Sequence, residues 1–213
     1  ILRSYEEPKL TFDTNAMGTV NILESIRHCD SVKALVSITT DKVYKNNEWV
    51  YGYRETDQLG DTDPYSASKA MAELAIASYR GSYFEENSIG NRNVAVSSTR
   101  AGNVVGGGDF AEFRLVPDCV KALMAKETIA IRNPFSTRPW QLVLEPLSGY
   151  LWLGAKLLQE PGGGYDRAWN FGPKAVHGIT VGEIADILVE HWGDGRWENV
   201  GNETEKKLES NLL

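Results

Sequence analysis

Tyr65 and Lys69, in the run Tyr65-Ser66-Ala67-Ser68-Lys69, stand at the spacing that can turn a phenol into an acid/base catalyst. On a helix, residues four apart share a face. A phenol ordinarily titrates near ~10 and is a poor base at neutral pH unless a neighbouring ammonium favours its anion. Lys69 would be that ammonium. Alone the pair is a weak signal, because Tyr and Lys one turn apart also occur as a solvated surface pair.

The elements that must position this pair are legible around it. Upstream, the apolar, β-rich run Ala34-Leu35-Val36-Ser37-Ile38-Thr39-Thr40-Asp41-Lys42-Val43-Tyr44 ends in hydroxyls and charges. It reads as a buried parallel strand over Ala34 to Thr39 that delivers polar groups at its carboxyl end, where open α/β sheets bind ligands. The polar stretch from Tyr44 to Asp63 is too long for a simple connector and is expected to be functional. Apolar periodicity predicts helices over Leu10 to Arg27, Ser66 to about Phe84, Val116 to Met124, Leu142 to Leu158 and Thr180 to Trp192, the last with Thr180 as N-cap and Glu183 at N3. Strands are expected at Val94 to Thr99 and Ile129 to Arg132, and a flexible turn at Gly162-Gly163-Gly164. Strands alternating with helices define an α/β fold with a parallel sheet.

Composition narrows the class of function. The chain has 213 residues, enough to bury one core or one and a half. Its net charge of −7 disfavours nonspecific nucleic-acid binding, so any anionic ligand must be held by a local cluster of cations and backbone N–H groups. No apolar run approaches ~20 residues, which argues against a membrane span, and a cytoplasmic location is expected. Cys29 and Cys119 are not expected to pair, and His28, His177 and His191 lack metal-ligand spacing, so no metal is expected. The six Trp residues accompany no basic stripe and are read as packing.

A strand ending Thr39-Thr40-Asp41-Lys42, followed some twenty residues later by Tyr-x-x-x-Lys opening an Ala-rich helix, resembles the extended short-chain dehydrogenase/reductases. The blocks Asn46 to Glu55, Asp63-Pro64-Tyr65-Ser66, Arg100 to Asp109 and Arg138-Pro139-Trp140-Gln141 make the chain similar to the CDP-glucose 4,6-dehydratases in particular. The resemblance implies NAD as cofactor, CDP-glucose or a related nucleotide sugar as substrate, and a homo-oligomer. It implies that Thr40 binds the carbon 4 oxygen of the sugar, that Tyr65 takes its proton and that Asp41 protonates the departing carbon 6 hydroxyl. Lys42 would be the base at carbon 5, and simple pairing of Lys42 with a carboxylate is the competing reading. Thr39, Tyr65, Lys69 and Arg100 would contact the cofactor, and Asn103, Arg114, Arg138 and Trp140 the nucleotide sugar. One departure is Leu142, where the family usually carries His.

Gly106-Gly107-Gly108-Asp109 lacks dinucleotide-loop spacing and is read as a permissive loop beside the substrate. No strand followed by a Gly-rich turn and helix precedes Ala34, so the sequence is expected to be a piece of a longer chain with β-α units upstream. The expected architecture is a Rossmann-like doubly wound parallel sheet lacking its N-terminal half, with a smaller C-terminal α/β substrate domain. Residues 1–103 would belong to the first and 104–213 mainly to the second, with about 142–172 returning to the sheet. Open alternatives are another nucleotide-sugar dehydratase or an epimerase of the same fold, or an inactive nucleotide-sugar-binding fragment.

Overall fold

The computed structural model describes residues 2–90, 93–111, 113–173 and 178–201. In chain order the elements begin with helices α1 (Leu2–Glu6) and α2 (Pro8–Phe12), a π-helical stretch Asp13–Met17 and α3 (Gly18–Arg27). Strand β1 (Ala34–Ile38) and a 3₁₀ turn Asp41–Val43 lead to α4 (Pro64–Tyr79), which runs into a second π-helical stretch, Arg80–Phe84. Then follow β2 (Ala95–Ala101), β3 (Val104–Val105), α5 (Leu115–Ala125), β4 (Ile129–Ile131), β5 (Thr137–Arg138), β6 (Gln141–Leu142) and α6 (Leu144–Gln159). The chain closes through β7 (Ala168–Phe171), β8 (Ile179–Thr180), α7 (Val181–Trp192) and β9 (Trp197–Asn199).

The chain divides into two compact units, the first of Ile1–Asn46, Tyr53–Gly102 and Leu144–Phe171. Its centre is a Rossmann-like parallel sheet in the order β1-β2-β7, with Ala34 opposite Ala95, Ile38 opposite Thr99, and Ser98 opposite Ala168. Leu23 and Ile26 of α3, Ile76 of α4, Phe84, Val94 and Val96 form its core. The small residues of α4 let it pack closely: Ala70 and Ala72 are both buried beside Ile76. The expected burial of β1 is corrected here, since Ile38 is 56% exposed and the rest of the strand only half-buried. Among the described residues β1 pairs on one side alone, so its outer flank is open and its side chains lose the shelter of a neighbouring strand.

The second unit comprises Asn47–Gly52, Asn103–Val143 and Gly172–Leu213. Two-stranded pairings β3-β6, β4-β9 and β5-β8 accompany α5 and α7, whose Cys119, Leu123 and Ala185 bury against Ile129 and Ile131 of β4. Both cysteines are free, and burial pushes the Cys119 thiol up to about 11.

Helix starts follow local chemistry. For α4, Asp63 accepts from Ser66 N at 3.0 Å while Pro64 supplies a preset φ in the first turn. For α7 the capping box is complete: Thr180 Oγ1 accepts from Glu183 N at 3.1 Å and the Glu183 carboxylate accepts from Thr180 N at 2.7 Å. Gly193, at φ 88°, ends that helix in the left-handed region.

Two glycines of α6 test how tightly this helix meets the sheet. A Cβ at Gly149 would overlap the Phe171 ring of β7, whereas one at Gly154 meets only Val36 Cγ2, at 3.8 Å. Gly149→Ala is therefore expected to cost about 1–3 kcal/mol by overpacking. Gly154→Ala is expected to gain up to about 1 kcal/mol from helix propensity. Urea unfolding of the two variants checks the opposite signs.

Candidate functional site

The carboxyl ends of β1 and β2 and the first three turns of α4 carry the candidate chemistry of the first unit. Thr40 caps the 3₁₀ turn that follows β1: its Oγ1 accepts from Lys42 N at 3.3 Å and donates to Asp41 Oδ1 at 3.0 Å. One short turn thus brings Thr40, Asp41 and Lys42 together, with α4 packed directly against it. Tyr65 and Lys69 occupy successive turns of that helix, each partly buried.

The turn bearing Tyr65 is braced from behind. Ser68 is fully buried, its Oγ donating to Tyr65 O at 2.7 Å and accepting from Asn15 Nδ2 at 2.9 Å. Asn15 lies in the first π-helical stretch and reaches the neighbouring helix through this bond.

One turn beyond Lys69 lies Glu73, 3% exposed, which sequence reasoning did not single out. Its Oε1 accepts from Thr39 Oγ1, and its Oε2 accepts from Ser98 Oγ at 2.8 Å and from Arg100 Nη2 at 2.7 Å. Burial opposes ionisation of Glu73, but Arg100, Thr39 and Ser98 together outweigh it and hold the carboxyl below its ordinary value. The signal for Glu73 was present: positions 65, 69 and 73 follow one another at the i, i+4 spacing of a single helical stripe.

Arg100 is 4% exposed and bonded within the protein interior. Besides Glu73, its guanidinium donates to Tyr44 Oη at 2.7 Å and to Glu55 O at 3.0 Å, and it stacks over the Tyr44 ring. Tyr44 Oη in turn donates to Asn170 Oδ1 of β7 at 2.6 Å. An arginine so desolvated needs a carboxylate, and Glu73 satisfies that need. Glu55 Oε1 accepts from Asn170 N at 2.9 Å, tying the long segment after Tyr44 to β7. That segment is also closed on itself by a Tyr44–Leu59 bridge and a bond from Gly60 N to Val43 O.

The candidate nucleotide-sugar residues lie in the second unit. Asn103 O accepts from Gln141 N at 3.0 Å, and Trp140 Nε1 donates to Ile179 O at 3.0 Å. Arg114 is exposed at the N-cap position of α5. Arg138 is only 8% exposed, with Nη1 donating to Thr137 O at 2.8 Å. Leu142 is exposed at the end of β6. Gly106 is required by contact, since a Cβ there would strike Val143, and Gly108 by its φ of 80°. His177 lies outside the described residues, among which no cluster of metal-ligating side chains occurs and no helix is long and apolar enough to cross a membrane.

A parallel Rossmann-like sheet, with a Tyr-x-x-x-Lys helix packed at the carboxyl end of its strands, defines the class: the extended short-chain dehydrogenase/reductases. Within it, the chain belongs to the GDP-mannose 4,6 dehydratase family, whose sequence profile matches residues 1–156. A CDP-glucose 4,6-dehydratase of Salmonella typhimurium is 48% identical over 191 residues, covering 90% of this chain and 53% of that enzyme. A trifunctional UDP-glucose 4,6-dehydratase, 3,5-epimerase and reductase of Arabidopsis thaliana is 31% identical over 56% of this chain and 17% of its own. Among solved structures, a double mutant of the dTDP-glucose 4,6-dehydratase of Streptomyces venezuelae, with NAD and DAU bound, superposes with a TM-score of 0.80. That match has 22% identity and covers 99% of this chain and 59% of the other. The chain therefore spans about half the length of the curated CDP-glucose dehydratase it matches.

Burial pushes the Lys69 ammonium below the ordinary lysine value, and the nearby Glu73 carboxylate partly restores it. Lys69 is accordingly expected to lose its proton at a pH below the ordinary lysine range of ~10.4. NMR titration of side-chain-labelled lysine, with the resonance assigned through Lys69→Met, checks this.

Proposed function

We propose that the full-length protein is an NAD-dependent lyase that dehydrates CDP-glucose to CDP-4-keto-6-deoxyglucose. The observation that carries this reading is the Thr40-Asp41-Lys42 turn packed against the Tyr65–Lys69 helix. The 48% identity to a CDP-glucose 4,6-dehydratase supports the choice of sugar nucleotide.

The residues present fit a nicotinamide cofactor. The Tyr65 phenol and Lys69 ammonium, with the Thr39 hydroxyl oxygen as an acceptor, gather near the carboxyl end of a parallel strand, a set suited to ribose hydroxyls. Lys69 and Tyr65 would hold the nicotinamide ribose, and bound NAD would supply hydride acceptance and return.

The chain's own groups manage the protons. Thr40 hydrogen-bonds the carbon 4 oxygen while Tyr65, its anion favoured by Lys69, removes that hydroxyl's proton. A carbonyl at carbon 4 acidifies the proton on carbon 5, which Lys42 removes. Asp41 protonates the hydroxyl departing from carbon 6, so water leaves without a high-energy hydroxide. Asn103, Arg114, Arg138 and Trp140 serve the nucleotide sugar in this reading, with Arg114 the most accessible cation for its diphosphate. Arg100 contributes indirectly, through the buried pair it makes with Glu73.

We also place the enzyme in the cytoplasm as a homo-oligomer. Leu10, Met17, Met71 and Leu74 stand exposed on the helices α2 to α4 and the π-helical stretch between them, an apolar surface suited to a second copy.

The test uses full-length protein with NAD and CDP-glucose under single-turnover conditions. Tyr65→Phe is expected to abolish reduced-nicotinamide absorbance, near ~340 nm, because oxidation at carbon 4 loses its base. Lys42→Ala is expected to accumulate that absorbance while product formation falls by roughly 100-fold to 10,000-fold. Parental turnover by Lys42→Ala would show Lys42 to be an ion-pair partner. A product other than a 4-keto-6-deoxy sugar would point to an epimerase.

A further inference from the structure

The buried carboxylate of Glu73 has no direct part in the proton transfers above, yet it is bonded to every strand end that borders them. Thr39 comes from the end of β1, while Ser98 and Arg100 come from β2. Through Arg100 and Tyr44 the chain of bonds continues to Asn170 on β7. All three strands of the first unit's sheet are thereby linked, near their carboxyl ends, to one position on α4. That position follows Tyr65 and Lys69 on the same helical stripe.

Two facts separate this arrangement from an ordinary stabilising pair. Taking a carboxylate and a guanidinium out of water costs about as much as their attraction returns, so stability alone does not account for placing them here. The bonds also immobilise the residue adjacent to the Thr40 cap: Thr39 N donates to Thr99 O at 2.8 Å while its hydroxyl donates to Glu73. With Thr39 held, Thr40 Oγ1 is directed by its bonds to Asp41 and Lys42 N.

We propose that Glu73 is a positioning residue for the reaction: through Thr39 and Arg100 it sets the register between the Tyr65–Lys69 helix and the Thr40-Asp41-Lys42 turn. The proposal rests on the functional reading of those two segments. Misplacement of such groups by about 1 Å is enough to slow a reaction on the order of 100-fold.

The test removes both members of the buried pair together. In full-length protein, Glu73→Gln combined with Arg100→Met is expected to melt near the parental temperature, since neither partner is left charged and alone. Amide exchange over residues 39–43 is expected to quicken by about tenfold as the turn loosens. The single-turnover rate with CDP-glucose is expected to fall by roughly 100-fold, with dissociation constants for NAD and CDP-glucose nearly unchanged. Glu73→Asp, which keeps the charge but withdraws it by one methylene, is expected to be intermediate in both exchange and rate. It serves as the reporter should the double variant fail to fold.

Parental exchange and parental rate in either folded variant would overturn the proposal and leave Glu73–Arg100 a packing feature. Weakened binding at an unchanged rate would overturn it as well. Exchange requires no substrate, so it separates the two readings. A parent enzyme inert toward CDP-glucose defeats the functional reading alone, and exchange over residues 39–43 still decides the role of Glu73.

Discussion

The ion pair between Glu73 and Arg100, at 2.7 Å and almost entirely out of water, is the constraint on which the first unit's arrangement depends. Neither charge could be buried alone. Breaking such a pair by removing one partner typically costs about 3–5 kcal/mol, a large share of the stability of a domain. The two residues approach from a helix and a strand, so this requirement fixes one element against the other more narrowly than apolar contact can. Leu23, Ile26, Ile76 and Val96 supply non-directional attraction, whereas Glu73 accepts hydrogen bonds that work only in one geometry. Packing brings α4 to the sheet, and the buried carboxylate determines where along the sheet it stops.

Two further devices act in the same direction. Ser68, held by Asn15 from the π-helical stretch, fixes the back of the Tyr65 turn, and the Asp63 cap fixes its start. The loop leaving β1 is pinned by Tyr44, which stacks on Tyr53 and bonds to Asn170. The reactive side chains therefore project from backbone held on several sides. Groups whose orientation is set during folding need little reorganisation when they act, which is the general advantage of a preorganised site.

Apolar surface is distributed unevenly over the first unit. On α6, Leu144, Leu147, Leu151 and Leu158 form an exposed stripe at heptad-like spacing, while Leu153 and Leu157 point into the core. Ile22 and Ile38 are likewise exposed on α3 and at the end of β1. Side chains of this kind on both a helix and a sheet edge need partners to leave water, and a parallel sheet is stable mainly when both faces are covered.

Much of this was legible in the residues. The strand ending in Thr39-Thr40-Asp41-Lys42, the Ala-rich helix after it and the capping box at Thr180 and Glu183 follow from local chemistry, because caps, turns and apolar periods act over a few positions, although that helix begins at Pro64 under an Asp63 cap and not at Ser66. The motifs that mark the family are likewise short stretches of chain. Strand β7, whose Asn170 receives the Tyr44 bond, was not distinguished, since four half-buried residues carry too little periodicity to declare themselves. The buried partners of Arg100 were not legible for a related reason. Whether an arginine meets a ligand or a buried glutamate depends on burial and on partners distant in the chain. Thr39 and Glu73 are 34 residues apart, and Tyr44 and Asn170 are 126 apart. Sequence by itself determined which groups could do the chemistry and which segments would carry them. Only the tertiary structure decided which charges left water together, because desolvation is a property of the assembled core and not of any residue within it.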